Sequence, residues 1–367
     1  MLRINSKILN KALEKVFPAI PSKAINDIHE CFYFQLSEEN DMAIIKGTDG
    51  QVSLETEAKS ISIEQECEFF VNAKMLNDLV KTLGDTDLYF KKVENQIEIS
   101  FESGKYKVSL VESEFLGLEE VQYDKWFNIE SSLLSEALTS TSFCISKETV
   151  RPSMTGVLLD FTQNDVNFVA TDGHRLVKYT VNQSMKENAQ YIIPERSVLI
   201  LQKLLTTGEV TVNLCKSYAE FIIGDVKFQT RLIMERFPSY ESVIPKDTGI
   251  TVKANIQDVL TICKRQLGFS NSLKEEPTIK LTIAKDKMII ESDSIATGSK
   301  AKETVQLLSS TGEMTIAFKT NYLIDELSHL EGTEFTMDLI SPTKAAIIKS
   351  TQNKDCLMLL MPKRLSA

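Results

Sequence analysis

The sequence predicts an α+β chain built from repeats of one small βαβββ unit, and three observations carry that prediction. The residues "INSKILN" at 4–10 return 67 positions later as "VNAKMLN" at 71–77. Gly84, Gly208 and Gly332 recur at a step of 124 residues, while Asp49, Asp172 and Asp293, in "GTDG", "ATDG" and "ESDS", recur at steps of 123 and 121. Three strand-like runs follow each of the first two candidate helices. A period of roughly 120 residues divides the chain into three domains, 1–122, 123–247 and 248–367, each holding two units.

The helices come first. Asn5 precedes Ser6 and Asn72 precedes Ala73, and an Asn side chain there accepts a bond from a free N–H of the first helical turn. Ile8, Leu9, Ala12, Leu13 and Val16 form one apolar stripe, which Met75, Leu76, Leu79, Val80 and Leu83 repeat at the same offset. "NIESSLLSEAL" at 128–138 and "TVKANIQDVL" at 251–260 echo the first start. "YIIPERSVLILQKLL" and "IAFKTNYLIDELSHL" echo the second, and the three periodic glycines lie where positive φ ends a helix. The runs "ECFYFQL", "MAIIKGT" and "VSLETEA", then "DLYFKKV", "QIEISFE" and "YKVSLVE", alternate or cluster apolar residues as strands do. Turn formers and charges at 114–125 and 235–249 mark the joins between domains. Such units bury their sheets by pairing with neighbours, helices gathered on one side.

Composition narrows the function. The 367 residues are 43% hydrophobic and 25% charged, as in ordinary globular chains. No apolar run approaches the 18 or so residues of a membrane span, and the first residues lack the apolar region of a signal peptide. Cys31, Cys67, Cys144, Cys215, Cys263 and Cys356 lie far apart with no CxxC pair, which fits a reducing cytoplasm. His29, His174 and His329 stand at no metal-ligand spacing, and neither a nucleophile elbow nor a phosphate loop is present. Asp172 and His174 flank a glycine and resemble a base with its carboxylate. The Asp172-Gly173 pair between "VNFVA" and "RLVKY" reads instead as a hairpin turn, matched by "TDG" at 48–50 where no His follows. Neither catalysis nor a metal or cofactor is expected.

A net charge of −10 argues against bulk coating by nucleic acid but leaves room for a local basic surface. Lys7, Lys11 and Lys15 form a ladder at i, i+4 and i+8, unfavourable by a few tenths of a kcal/mol per neighbouring pair unless an anion faces it. Lys74 with Lys81, Arg196 with Lys203, and Lys264 with Arg265 add cations to other helices. Glu14, Asp78 and Glu195 on the same helices favour a plain solvated face, and "SSLLSEALTSTS" carries no cation at all. Six helices closing a ring at ~8–10 Å spacing leave a hole of roughly 9 Å, too narrow for a duplex. Twelve helices, from two copies, leave roughly 28 Å, enough for double-stranded DNA held without regard to base sequence. An open solenoid satisfies the repeats equally well.

Four stretches go further: "RPSMTGV" at 151–157, "ATDGHRL" at 170–176, "RFPSYESVIP" at 236–245 and "LLMPKRL" at 359–365. With them the chain resembles, over its full length, the bacterial sliding clamps, the β subunits of the replicative DNA polymerase III. The resemblance implies the DNA clamp fold, a head-to-tail homodimeric ring with helices lining the inside and sheets outside. Such a ring encircles duplex DNA, is placed there by a clamp loader complex, and tethers the replicative DNA polymerase and other clamp-binding replication and repair proteins. It implies a cytoplasmic, non-catalytic protein with no membrane contact. By position, the family's partner-peptide pocket falls on Met154, Thr171, Gly173, His174, Arg175, Leu176, Pro238, Ser242 and Val243. Its other wall falls on Leu359, Leu360, Met361, Pro362, Lys363, Arg364 and Leu365. Ser242 stands where relatives often carry Arg, and Ser366-Ala367 extend past the usual terminal Leu. Lys23 and Arg151 match DNA-contacting positions, and the dimer contact falls on Lys107, Val108 and Leu110 against Leu267 and Phe269. The alternative is a non-replicative repeat scaffold that binds proteins only.

Overall fold

The computed structural model describes residues 2–24, 26–39, 41–115, 117–183, 188–247, 249–270, 276–294 and 298–364. Among them are six α-helices: α1 Ser6–Val16, α2 Ala73–Thr82, α3 Ser131–Ser142, α4 Glu195–Leu204, α5 Ile256–Ser270 and α6 Thr320–Ser328. One strand enters each helix and three strands follow it, so the βαβββ unit recurs six times, with short extra strands at Ser62–Ile63 and Ser309–Ser310.

Local chemistry sets the helix starts as the sequence predicts. The Asn5 side chain accepts from the Lys7 N–H at 3.0 Å, and that of Asn72 from the Met75 N–H at 3.0 Å. The stripes differ from expectation in one equivalent position: Ile8 and Met75 are 42% and 57% exposed. Ser6 and Ala73, at i−3 from Leu9 and Leu76, take the inward place instead, and two residues further on Ile8 and Met75 have swung to the far side of the helix. Leu9, Leu13 and Val16 are fully buried where α1 packs on strands Met42–Thr48 and Val52–Lys59 and against α2. Each contributes about 1.5–3 kcal/mol relative to exposure. Of the periodic glycines, Gly208 and Gly332 do adopt positive φ, +94° and +93°. Gly84 does not, because α2 closes on an extended Leu83.

The chain gathers into two compact units, Met1–Ser135 with Arg196–Leu232, and Glu136–Glu195 with Ile233–Ala367. The first holds one antiparallel sheet of 13 strands. It passes from Val226–Arg231 directly to Val52–Lys59 in the register Phe228↔Leu54, and Phe34 stacks on Phe69 at 4.9 Å in its core. The second holds sheets of nine and four strands. Its larger sheet joins Arg175–Val181 to the last strand, Cys356–Leu360, in the register Leu176↔Leu359. That pairing brings two distant stretches of the sequence side by side.

Candidate peptide-binding site

The site starts from a hairpin turn in the second unit. Strands Val166–Thr171 and Arg175–Val181 pair antiparallel, and Gly173 between them has φ +86°, open to glycine at no steric cost. The Asp172 carboxylate accepts from the N–H groups of His174 and Arg175 at 2.9 and 3.0 Å, while Thr171 Oγ1 donates to the Arg175 carbonyl at 2.7 Å. Thr48, Asp49 and Gly50 make the same set of bonds in the first unit, so this is the repeat's own turn. The bonding leaves the Asp172 carboxylate occupied by backbone N–H groups and by the Arg175 guanidinium, not by the His174 imidazole.

Beneath the turn lies an apolar floor. Leu176 and Leu359 pack with Leu158, Val169, Phe237 and Tyr240 in one buried cluster, and Ile244 lies against it. Tyr240 donates its hydroxyl to Asp160 at 2.6 Å, which places its ring. Burial pushes that hydroxyl far up, so it stays protonated. Met154, itself buried, reaches Gly173: a β-carbon there would meet the Met154 methyl at 3.5 Å. The rim is exposed, formed by Gly173, His174, Pro238 and Ser242, with Val243 at 53% and Met361 at 43%. The Met361 N–H donates to the His174 carbonyl at 2.9 Å, fixing the tail beside the turn.

Not every residue assigned to the pocket faces it. Arg175 is buried, and its guanidinium donates to Asp172 (3.0 Å), Asp325 (2.6 Å) and the Phe143 carbonyl (3.1 Å) while lying over the Tyr322 ring at 4.5 Å. Burial works against its charge, but Cys144 and the bonded Asp325 and Asp172 carboxylates outweigh burial and hold its pKa above the usual value. It braces the turn. Lys363 turns to the smaller sheet, its N–H to the Ala317 carbonyl at 2.7 Å and its ammonium to Thr278 Oγ1 at 2.7 Å. Pro362 is half-buried, Arg364 is exposed and Leu360 is wholly buried. Leu365, Ser366 and Ala367 lie outside the described residues. Phe237 and Tyr240 are the floor residues missed from the sequence, their signal being two aromatics inside a turn-rich segment.

The basic residues present a mixed picture. Lys11, Lys23, Lys74, Arg151, Lys203 and Lys264 are exposed. Two rungs of the ladder on α1 are paired within the protein, Lys7 with Asp85 at 2.9 Å and Lys15 with Asp225 at 2.6 Å. Burial alone would raise the Asp225 carboxyl, yet its bond with Lys15 keeps it below the usual value. Arg196 pairs with Asp49 at 2.8 Å, Arg265 with Glu303 at 2.6 Å, and Lys81 lies over the Phe17 ring. Exposed pairs of this kind are weak and are screened by salt. In the expected dimer contact, Val108 and Leu110 are buried at 6% and 8%, since alternate residues of Gly104–Val111 face the core. Lys107 is exposed, Leu267 half-buried and Phe269 60% exposed.

Repeated sheet-and-helix units, cations exposed on several helices and an apolar patch beside the last strand fit a clamp-type scaffold. The DNA polymerase III beta subunit family matches in three successive pieces: its N-terminal domain over residues 1–116, its central domain over 128–239 and its C-terminal domain over 241–364. The chain therefore belongs to the family of the beta subunit of DNA polymerase III, the sliding clamps, and its function is that of a DNA polymerase processivity factor. The beta sliding clamp of Pseudomonas aeruginosa is 28% identical over 89% of this chain and 90% of its own length. That of Streptococcus pneumoniae is 27% identical over 98% of each chain. Among solved structures, the Pseudomonas aeruginosa DNA polymerase III beta subunit superposes with a TM-score of 0.94 at 25% identity, covering 99% of this chain and all of that one. The Bacillus subtilis DNA polymerase sliding clamp, 21% identical, shares the fold at a TM-score of 0.92 over all of this chain and 99% of its own. No group of three or more metal-ligating side chains occurs among the described residues, and none of the described helices is long and apolar enough to cross a membrane.

Proposed function

We propose that two copies of the chain close head to tail into a ring around duplex DNA and act by topology, without catalysis. The three expected domains, 1–122, 123–247 and 248–367, supply the six helices of each half. The match of three successive beta-subunit domains in one chain carries this reading. The exposed lysines and arginines face the phosphates, and their contacts are weak and salt-sensitive, as sliding requires. Partner peptides from the polymerase, the clamp loader and repair proteins dock on the floor of Leu176, Leu359 and Tyr240, between the rims at Val243 and Met361. An aliphatic or aromatic anchor fully buried there contributes about 1.5–3 kcal/mol. Such a protein works in the cytoplasm.

A protein-only scaffold is the second reading, favoured by the ion pairs that already occupy Lys7, Lys15, Arg196 and Arg265. One experiment separates the two. The protein is assembled on nicked circular DNA with a clamp loader and ATP, isolated by gel filtration, and the circle is cut. Retention on the circle and loss on cutting are expected, and equal retention before and after would overturn the ring.

A further inference from the structure

The first unit contains a groove of its own, where its sheet splits. Strand Gly104–Val111 pairs with Gln96–Phe101 along most of its length, but with Cys67–Asn72 only through Phe70↔Val111 and Val71↔Leu110. Past Val111 the chain leaves the sheet, so Glu112 to Glu114 never come opposite Phe69 to Cys67. No backbone hydrogen bond joins the two sides among the described residues. Between them lies a groove of about 480 Å³, within the size range of ligand sites. Its floor is aromatic: Tyr33 stacks on Phe115 at 4.8 Å and lies 5.0 Å from Phe70. Its walls carry the exposed carboxylates of Glu68, Glu94, Glu112 and Glu114 against the ammonium of Lys92, while Lys46, paired with Glu55 at 2.9 Å, lies over the Phe115 ring.

We propose that this groove binds a short, extended, basic peptide, which adds as a strand to the open edge at Cys67–Phe69. A strand whose outer N–H and C=O groups meet no neighbour is a template for another strand. Alternate side chains of the guest then point toward the aromatic floor and toward solvent. A lysine or arginine pointing inward gains both the carboxylates and a ring face, as Lys46 already does over Phe115 at 5.8 Å. The same walls repel phosphate, so nucleic acid is not the occupant. The inference does not rest on the docking patch of the second unit.

The probe is a fluorescein-labelled Lys-Val-Arg-Val-Lys peptide with blocked ends, followed by anisotropy on the full chain at low ionic strength. Saturable binding is expected, weakened at least tenfold (about 1.4 kcal/mol) when Glu68→Gln, Glu112→Gln and Glu114→Gln are combined. Glu112 and Glu114 are exposed, and at position 68, where the carboxylate accepts from the Tyr33 hydroxyl, the glutamine amide oxygen can accept in its place; the melting temperature of the triple variant is measured alongside. A matched set at exposed positions, Glu39→Gln, Glu102→Gln and Glu120→Gln, should leave binding within about twofold, and peptide should slow amide exchange at Cys67–Phe69. Equal weakening by the two sets would mean that the peptide reads only the net charge, and would overturn the site. So would unchanged exchange at that edge, or equal binding of a Glu-Val-Glu-Val-Glu peptide.

Discussion

Glu326 on α6 is fully buried, and neither of its carboxyl oxygens has a hydrogen-bond partner among the described residues. Burial pushes its pKa well above the ordinary 4.5; Arg175 pulls it back, and Asp172 and Asp325 push it up further. Cys144 and Cys356, whose thiols burial also raises, feel the same carboxyl. The folded state thus keeps a proton that the unfolded state releases above about pH 4.5, and stability falls as pH rises toward the folded value. Glu326→Gln removes that titration. Its melting temperature relative to the wild type should climb as pH rises above about 5, on top of a pH-independent offset from the new amide. A difference that stays flat above pH 5 would mean that the carboxyl ionises normally.

At the scale of elements, the tail after the last strand is held at two points. The Met361 N–H bonds the His174 carbonyl at 2.9 Å, and Lys363 bonds Ala317 and Thr278 at 2.7 Å each. Glu276 closes the second point: burial would raise its carboxyl, but Lys319 at 2.7 Å and Lys363 at 3.6 Å hold it below the usual value. The tail wall is therefore preformed. Deleting Met361–Ala367 should weaken a labelled polymerase-tail peptide at least tenfold, since Met361 alone offers an apolar surface of about 1.5–3 kcal/mol when a ligand buries it. The final strand and the melting curve should survive. Lys363→Ala should cost only about two- to fivefold, through the lost preorganisation of the wall. Binding of the truncated protein within threefold of full length would refute the assignment of this wall.

What the sequence revealed at this scale was local. The caps at Asn5 and Asn72 and the turns at Asp49-Gly50 and Asp172-Gly173 depend on residues two or three apart, and all four form as read. What it hid depends on partners far along the chain. Lys15 finds Asp225 at a separation of 210 residues and Arg175 finds Asp325 at 150, so an end of the lysine ladder is paired and a side chain assigned to a pocket braces a turn. The family position of Val108 and Leu110 in the dimer contact leaves open which side of the strand they take, because alternation gives two faces without saying which is buried. Phe237 and Tyr240 were passed over because a segment of turn formers looks like a connector until the sheet is known.

For the whole molecule, the proposed ring depends on a subunit contact, and the burial of Leu110 changes how that contact is tested. A charge at Leu110, 8% exposed, would damage the core of its own unit, so loss of a dimer would mean nothing. The outward face of the same strand offers Tyr106, 49% exposed and stacked on Phe101 at 5.9 Å, and Phe269 is 60% exposed. Along residues 104–109 that strand has no partner on the side away from Gln96–Phe101 among the described residues, an edge that a strand of a second copy can complete. Tyr106→Asp with Phe269→Asp should therefore turn a dimer into monomers in sedimentation at micromolar concentration. The melting temperature should stay within a few degrees, because neither side chain is core. The same variant should fail to remain on nicked circular DNA, since a topological link needs both interfaces closed. A variant that stays dimeric places the subunit contact elsewhere, and one that is monomeric yet still held on the circle shows that retention does not come from encirclement.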